Sequence, residues 1–227
     1  MKVQYIGHMG DDNRVCDTAR ISFSRKANEY SQEANDKLIA YLARENHWSP
    51  FSHVFVSLAM QAPISIRTQC MKHTVGFAFN EESRRYINTT PELFIPTFRH
   101  KPDGSIKQGS GEVINEITGK VYVFDEEVHV TETQETLQHE YEKICQSCIE
   151  QYEYLIGLGV APEQARFVLP QGVETNWVWT GSLYAWARFY NLRKDSHAQK
   201  EIQDLAYMVG EIIEPLYPVS WRSLTKV

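Results

Sequence analysis

Residues 69–86 read Q-C-M-K-H-T-V-G-F-A-F-N-E-E-S-R-R-Y, the first of two long polar stretches in this chain. The second, residues 165–199, opens with A-R-F-V-L-P and closes with N-L-R-K-D-S-H-A-Q. Between them the two stretches hold Lys72, Arg84, Arg85, Arg166, Arg188 and Arg193, in a protein whose formal net charge is −6. Because charge-assisted contacts act at short range, basic residues concentrated against the overall sign predict a local site for an anionic small molecule.

The segments around the first polar stretch carry a strand pattern followed by a helix pattern. Residues 54–60 place apolar side chains at every second position, which predicts a half-buried strand. A proline soon after suits the first turn of a helix, which we expect over residues 64–75. On such a helix Gln69, Lys72 and His73 are spaced at i, i+3 and i+4, so their side chains would share one face.

The second half of the chain repeats this mixture of patterns. Residues 133–157 carry an apolar stripe at helical spacing, which predicts a long helix. Residues 174–180 are strand-like, and Ser182 can cap the helix that follows. The phrase S-H-A-Q at 196–199 predicts a capping box at the start of the last helix. The mixed order of strands and helices indicates an α/β (α+β-like) fold without regular βαβ alternation.

The composition predicts one globular domain. The chain has 227 residues, 42% of them apolar, and can bury a hydrophobic core. We expect a single domain over 1–227 with an exposed insertion at about 100–130, where turn-forming residues are frequent. No apolar run approaches the roughly 20 residues that span a bilayer. The N-terminus turns polar too soon for a secretory signal, so we expect a cytoplasmic protein. The acidic balance argues against nucleic acid as a partner.

The cysteines and histidines give little support for a metal site. Cys145 and Cys148 have C-x-x-C spacing, but no second pair completes it, and both fall within the long helical pattern. No H-E-x-x-H motif or comparable ligand spacing is present, so we expect no metal. The chain also has no G-x-G-x-x-G or G-x-x-x-x-G-K-[ST] phrase, so the sequence indicates neither a Rossmann nor a P-loop nucleotide site. Cys70 could attack a pyrimidine as a thiolate. Its place on the helix, turned away from Gln69, favours a structural role instead.

Arg193 is the strongest single candidate for binding an anion. It stands shortly before the last predicted helix, and the free backbone N–H groups of a helix N-terminus favour anions. Its guanidinium offers a fixed fork of donors that suits a phosphate or the imide edge of a pyrimidine. The alternative is a surface arginine that pairs with Asp195 or Glu201.

A second candidate group lies at the end of the first polar stretch. Glu81, Ser83 and Arg85 are spaced two residues apart, and in an extended chain they would face one way. An acceptor, a hydroxyl and a cation together could hold a ribose and its phosphate. A solvated turn is the alternative interpretation, and spacing alone favours it.

Several separated motifs, taken in order, resemble those of the flavin-dependent thymidylate synthases. The matching phrases are T-A-R-I-S-F (18–23), H-W-S-P-F-S-H (47–53), Q-C-M-K-H-T and N-E-E-S-R-R-Y (within 69–86), A-R-F-V-L-P (165–170) and N-L-R-K-D-S-H-A-Q (191–199). The signature of that family reads R-H-R, then seven residues, then Ser. Here the corresponding residues are Lys72-His73-Thr74, and eight residues separate Thr74 from Ser83. Both arginines of the signature are thus replaced, and we hypothesise that Arg84 and Arg188 restore charge for the flavin.

The resemblance implies a fold with a mixed or antiparallel central sheet flanked by long helices. It implies reductive methylation of dUMP to dTMP in de novo thymidylate synthesis. Methylenetetrahydrofolate would give the carbon, and NADPH-reduced FAD would give the hydride. Arg193 would be the catalytic residue, promoting ionisation of the uracil without an enzyme nucleophile. The family is built as a homotetramer whose active sites are shared between subunits.

The resemblance also implies two sets of binding residues. The dUMP set is Gln69, Cys70, Met71, Lys72, Glu81, Glu82, Ser83, Arg84, Arg85, Arg166 and Arg193. The FAD set is Ser22, His47, Ser49, Lys72, His73, Thr74, Glu81, Ser182 and Arg188.

Two rival interpretations stay open at this point. The changed signature motif could belong to an enzyme that acts on a nucleotide with a 2′-hydroxyl or on another pyrimidine. Alternatively, the protein could be a nucleotide-binding or regulatory protein that has lost flavin. The second rival predicts dUMP binding with no yellow chromophore and no turnover.

Overall fold

A computed structural model describes residues 1–102, 104 and 109–225. The chain groups into two compact units. The first contains Met1–Ala62, Ile66–Glu81 and Thr175–Val227, and the second contains Pro63–Ser65 and Glu82–Glu174. The single domain over residues 1–227 stays a prediction.

The described residues form strands and helices in mixed order, which confirms the predicted α/β fold class. The strands are β1 (Lys2–Met9), β2 (Phe55–Pro63), β3 (Phe77–Glu81), β4 (Glu116–Val123), β5 (Glu126–Thr133) and β6 (Glu174–Ser182). The helices are α1 (Asp12–Arg20), α2 (Gln32–Arg44), α3 (Ile64–Cys70), α4 (Gln134–Gly157), α5 (Pro162–Ala165), α6 (Leu183–Arg193), α7 (Lys200–Ile213) and α8 (Pro218–Thr225). Short 3₁₀ helices form at Ile21–Phe23, Ala27–Glu29, Ser49–His53 and Arg166–Val168.

The sheet of the first unit has the strand order β1-β2-β6-β3. β1 pairs antiparallel with β2, with Lys2 opposite Gln61 and a register shift between Tyr5 and Gly7. β3 pairs antiparallel with β6 and places Phe77 opposite Gly181. The alternating pattern at 54–60 is thereby confirmed as a strand. Because this pairing is antiparallel, the end of β3 at Glu81 lies opposite Trp177 in the first half of β6.

An aromatic cluster packs helix α6 in the core of the first unit. Trp179 and Trp186 meet edge to face with ring centroids 4.8 Å apart, and Phe189 lies 5.0 Å from Trp179. All three side chains are fully buried. Burial of such side chains contributes roughly 1.5–3 kcal/mol each, and the edge-to-face contacts add to that. The cluster therefore holds α6, which carries Arg188 and Arg193, in a fixed position.

Polar caps fix the ends of two helices in this unit. The Ser182 hydroxyl accepts a hydrogen bond from the backbone N–H of Ala185 at 3.2 Å, so the predicted cap of α6 is confirmed. The buried Asp12 carboxylate accepts from the backbone N–H groups of Val219 and Ser220 at 2.9 and 3.0 Å. Asp12 thus satisfies free donors at the start of α8 from a distant part of the sequence.

Two of the helix boundaries that we predicted are wrong. Helix α3 ends at Cys70 rather than near residue 75, because the chain tightens into a turn in which the His73 N–H donates to the Cys70 carbonyl at 3.0 Å. Lys72 therefore does not share a helical face with Gln69. Helix α7 begins at Lys200 without a side-chain cap, so the capping box at 196–199 is also wrong. There the Asp195 carboxylate takes the His197 backbone N–H at 2.8 Å and holds the preceding turn.

The second unit contains a hairpin and a long helix. Strands β4 and β5 pair antiparallel with Glu116 opposite Thr133. Phe124 and Asp125 make their turn, both with positive φ. Helix α4 is capped by Thr133, which confirms the predicted long helix. The insertion predicted at about 100–130 includes residues 103 and 105–108, which lie outside the described residues. No helix within the described ranges has the length and apolarity to cross a membrane.

Candidate functional site

Arg193 is the last residue of α6, and its guanidinium is held by two hydrogen bonds. Its Nε donates to Nε2 of His73 at 2.9 Å, and its Nη2 donates to the Gln69 carbonyl oxygen at 3.0 Å. The predicted position at the N-terminus of the last helix is wrong, because α6 continues through Arg193 and α7 begins only at Lys200. Hydrogen bonds through two different nitrogens fix the plane of the Arg193 guanidinium, and Nη1 is left to donate to a ligand.

His73 lies between Arg193 and the aromatic core. Its ring meets Phe189 edge to face, with centroids 5.1 Å apart. Burial lowers the pKa of His73 to about 4, and the nearby charges of Arg193 and Arg188 act in the same direction. The imidazole is therefore neutral at physiological pH. Since Nε2 accepts from Arg193, Nδ1 carries the proton.

At the end of α3, Cys70 and Met71 turn toward the core, whereas Gln69 makes a contact at the surface. Gln69 donates through Nε2 to Oε1 of Gln199 at 2.7 Å. Cys70 is fully buried and Met71 packs against the same core. Burial raises the pKa of the Cys70 thiol to about 12, which disfavours a thiolate at neutral pH and supports a structural role for this cysteine.

Glu81 ends β3 with its carboxylate already engaged. Its Oε1 accepts from Oγ1 of Thr175 at 2.9 Å, and Nε of Arg67 lies 3.0 Å from the same oxygen. Sequence reasoning did not identify Arg67 and Thr175 as site residues. Neither stands at a motif spacing, and only the pairing of β3 with β6 brings Thr175 to Glu81. The contacts fix the orientation of the carboxylate before any ligand binds.

A cavity of about 510 Å³ opens where α6 begins. It is lined by Trp48, Ser52, Phe55, Val75, Gly76, Ser182, Tyr184, Ala185 and Arg188. Trp48 and Tyr184 present aromatic rings, Ser182 a hydroxyl and Arg188 a cation. The N-terminus of α6 adds a partial positive charge. These groups suit a flavin, which has a flat ring and an anionic tail.

The predicted flavin residues are distributed unevenly around this cavity. Ser182 and Arg188 line it directly. Thr74 precedes the lining residue Val75 in the chain, and His47 and Ser49 flank the lining residue Trp48. The side chains of Thr74, His47 and Ser49 are exposed and are not part of the cavity lining. His47 instead stacks edge to face on Tyr41 at 5.8 Å. Two further predicted flavin residues, Ser22 and Lys72, also have exposed side chains outside the lining.

A second cavity of about 600 Å³ shares Tyr184 and Arg188 with the first. Its other lining residues are Ala40, Ala43, Arg44, Asn46, Ala187, Asn191, Ser223 and Leu224. Sequence reasoning missed Trp48 and Tyr184, because single aromatic residues carry no spacing signal. Arg188 faces both cavities and is thus the cation best placed to meet a long, anionic cofactor.

In the second unit, two of the predicted arginines converge on Glu163. Nε of Arg85 lies 2.9 Å from Oε2 of Glu163, and Nε of Arg166 donates to the Glu163 backbone oxygen at 3.2 Å. Both partners of the Arg85 ion pair are about half exposed, so the pair contributes only about 0–1 kcal/mol and can exchange for a phosphate.

The loop before Arg85 turns rather than extends. The Ser83 carbonyl accepts from the N–H groups of Tyr86 and Ile87 at 2.9 and 3.1 Å, which closes a turn. The extended geometry expected for Glu81, Ser83 and Arg85 is therefore wrong. Arg84 donates to the Thr89 carbonyl, so its guanidinium serves the loop itself. Glu82 is half-buried within the same loop.

No group of three or more His, Cys, Asp or Glu side chains in the described ranges is arranged to hold a metal ion. Cys145 and Cys148 both lie on α4. The donors that the structure brings together are guanidinium groups, amides and hydroxyls, which suit phosphates and imides rather than metals.

Known proteins are similar to this chain over nearly its whole length. A family model described as thymidylate synthase complementing protein matches residues 4–219. The flavin-dependent thymidylate synthase of Kosmotoga olearia is 33% identical over 97% of this chain and 88% of its own length. The enzyme of the same name from Thermosipho africanus is 31% identical over 99% of this chain and 90% of its own length.

A solved structure extends the likeness to three dimensions. The UMP/dUMP methylase PolB of Streptomyces cacaoi, bound with 5-Br UMP, superposes with a TM-score of 0.79. It is 25% identical to this chain, and the match covers 99% of this chain and 93% of the methylase. The same protein bound with 5-Br dUMP gives a TM-score of 0.76 at 26% identity, over 99% of this chain and 94% of the other. With sequence, fold and the predicted motifs in agreement, this chain belongs to the flavin-dependent thymidylate synthase family.

Proposed function

We propose that this enzyme converts dUMP to dTMP by reductive methylation, with methylenetetrahydrofolate as the carbon donor. The observation that carries the proposal is Arg193, held by His73 and Gln69 with donors of its guanidinium left for a ligand. Membership of a flavin-dependent family supplies the cofactor, FAD. When bound and reduced by NADPH, FAD supplies the hydride that completes the methyl group.

The proposed role of Arg193 follows from the chemistry of uracil. C5 of the ring becomes nucleophilic when negative charge develops on the imide, and a fixed cation beside the imide stabilises that charge. Removing one such preorganised donor typically slows an enzyme by roughly 10²–10³-fold. Cys70 cannot replace this activation, because its thiol is buried and its pKa is about 12. We therefore propose a reaction without an enzyme nucleophile.

We propose that the second unit binds the phosphate of the nucleotide. Arg85 and Arg166 both approach Glu163, and each keeps its two terminal nitrogens for bidentate contacts. Glu82, Ser83 and Arg84 would line the pocket through the backbone of their turn. By the resemblance, we also propose Gln69, Cys70, Met71, Lys72 and Glu81 as nucleotide-binding residues.

We propose that the flavin occupies the cavity at the start of α6. Ser182 and Arg188 line it directly. From the resemblance to the family, we further propose Ser22, His47, Ser49, Lys72, Thr74 and Glu81 as FAD-binding residues. Thr74 lacks the charge of the family signature. Arg188 lies in the cavity lining and can restore that charge, whereas Arg84 is engaged with Thr89.

A second candidate function is methylation of UMP. The solved methylase that superposes with a TM-score of 0.79 acts on UMP as well as dUMP, by its description. Its identity to this chain, 25%, is close to the value for its dUMP-analogue complex. Competition between UMP and dUMP for the enzyme separates the two candidates.

We further propose a homotetramer with shared active sites, located in the cytoplasm. Large apolar side chains on the strands of the first unit support the assembly. Phe79 is 46% exposed and Val178 is 43% exposed. A second copy of the chain would cover such side chains.

The test of the proposed function is tritium release from dUMP labelled at C5. The complete reaction contains methylenetetrahydrofolate, NADPH and FAD, and each is omitted in turn. We expect release that depends on all three and that stops in Arg193→Ala. Release without flavin or NADPH would contradict the proposal. Binding of dUMP without any release would favour a nucleotide-binding protein.

A further inference from the structure

We propose that His73 is a positioning residue that aims the Arg193 guanidinium at the pyrimidine ring. This inference rests on the proposed function of Arg193 and assigns His73 a task other than holding FAD. The contact that carries it is the hydrogen bond from Nε of Arg193 to Nε2 of His73, 2.9 Å long.

Two anchors on different nitrogens define the plane of the guanidinium. His73 takes the Nε–H, and the Gln69 carbonyl takes one hydrogen of Nη2 at 3.0 Å. With only the Gln69 bond, the guanidinium could still rotate about its long side chain. The His73 bond removes that freedom, so less conformational entropy is lost when a ligand binds.

The imidazole can serve as an anchor because it is itself fixed. Its ring packs edge to face on Phe189, which is fully buried against Trp179 and Trp186. Its own backbone N–H donates to the Cys70 carbonyl at 3.0 Å. The position of Arg193 is thereby tied to the aromatic core through one ring.

His73 can accept the hydrogen bond from Arg193 only when its ring is neutral. A protonated imidazole has no lone pair for the Arg193 N–H and would place two cations in contact. Burial and the charges of Arg193 and Arg188 lower the pKa of His73 to about 4. Nε2 of His73 therefore accepts the hydrogen bond from Arg193 over the whole pH range in which the enzyme would operate.

The test compares His73→Phe, His73→Gln and the control His139→Phe in the full-length enzyme. Phe keeps the ring against Phe189 but removes the acceptor, and Gln offers an amide oxygen in its place. His139 lies exposed on α4 of the second unit. Calorimetry measures the Kd for dUMP, flavin fluorescence measures the Kd for FAD, and tritium release gives kcat and KM.

We expect His73→Phe to lower kcat by about 10- to 100-fold, as for loss of one hydrogen bond to a charged group. The Kd for dUMP should rise at least about fivefold, while the Kd for FAD stays within about twofold of wild type. His73→Gln should recover at least about a third of the wild-type kcat, and His139→Phe should match wild type. Equal losses in Phe and Gln variants, or a loss confined to FAD affinity, would overturn the positioning role.

The same experiment separates this inference from the proposed function. If the wild-type enzyme binds dUMP but releases no tritium, the proposed function fails, and the Kd for dUMP alone decides the role of His73. If the wild-type enzyme turns over and His73→Phe does so equally well, the proposed function stands and the inference is wrong. If the wild-type enzyme neither binds dUMP nor turns over, both are contradicted.

Discussion

Replacing Gly76 with alanine should damage the flavin cavity in a measurable way. Gly76 lines the cavity with φ +80°, a conformation that L-residues rarely adopt. A Cβ at this position would lie 3.0 Å from Cβ of Ala185 and 3.1 Å from Oγ of Ser182. Both neighbours belong to the first turn of α6, and the Ser182 hydroxyl caps that helix. The backbone of Gly76 also accepts a hydrogen bond from the Ser182 N–H at 3.0 Å.

Gly159→Ala provides a matched control. Gly159 has φ +83°, but a Cβ there would meet nothing within 4 Å. The left-handed conformation costs an alanine about 1–2 kcal/mol in both variants. Gly76→Ala adds crowding of about 1–2 kcal/mol, in the lower range of overpacking penalties. The free energy of unfolding should therefore fall by about 2–4 kcal/mol in Gly76→Ala and by about 1–2 kcal/mol in Gly159→Ala.

Urea unfolding at fixed protein concentration measures these losses, since the stability of an oligomer depends on its concentration. Flavin fluorescence measures the Kd for FAD. We expect Gly76→Ala to raise that Kd about tenfold and Gly159→Ala to leave it unchanged. Equal losses of stability in the two variants would contradict the crowding at Gly76. Unchanged FAD affinity in Gly76→Ala would refute the proposed position of the flavin.

Four further outcomes are expected. Arg188→Gln should raise the Kd for FAD about tenfold while Arg44→Gln, which changes only the second cavity, raises it less than threefold in a fluorescence titration. The pKa of His73 falls from 6.5 to about 4 on folding, so the unfolded chain binds the proton first as pH decreases. Stability should therefore decline by about 2 kcal/mol from pH 6.5 to 4, allowing for solvent screening, and urea titrations of His73→Phe should lack this slope. Cys70 should resist iodoacetamide at pH 8 until the protein unfolds, as read by peptide mass spectrometry, because burial raises its thiol pKa to about 12. Asp12→Ala should lower the melting temperature by several degrees through loss of about 1–2 kcal/mol of helix capping, and an unchanged midpoint would contradict the cap on α8.

Patterns that depend on neighbouring residues predicted the fold well. The alternation at 54–60 formed β2, and Ser182 capped α6, because both depend on contacts that local periodicity encodes. The end of α3 and the start of α7 were misplaced. At the first, a turn closed by backbone hydrogen bonds replaced the helix. At the second, Asp195 rather than Ser196 organised the turn.

The sequence predicted which residues belong to the site but not which of them contact one another. Arg193 was identified, but its anchors His73 and Gln69 come from a segment more than a hundred residues earlier, so no local pattern could pair them. Trp48 directly precedes the 3₁₀ helix Ser49–His53 and Tyr184 lies in α6, and only the fold brings the two to one cavity. Partners of this kind become visible only with tertiary structure.

The most direct test of the account is a single turnover under anaerobic conditions. Enzyme carrying chemically reduced FAD is mixed with dUMP and methylenetetrahydrofolate without NADPH, and flavin absorbance and dTMP are followed together. The account predicts reoxidation of the flavin with about one dTMP formed per FAD, and neither event in Arg193→Ala. Formation of dTMP with the flavin still reduced, or with no flavin present, would contradict it.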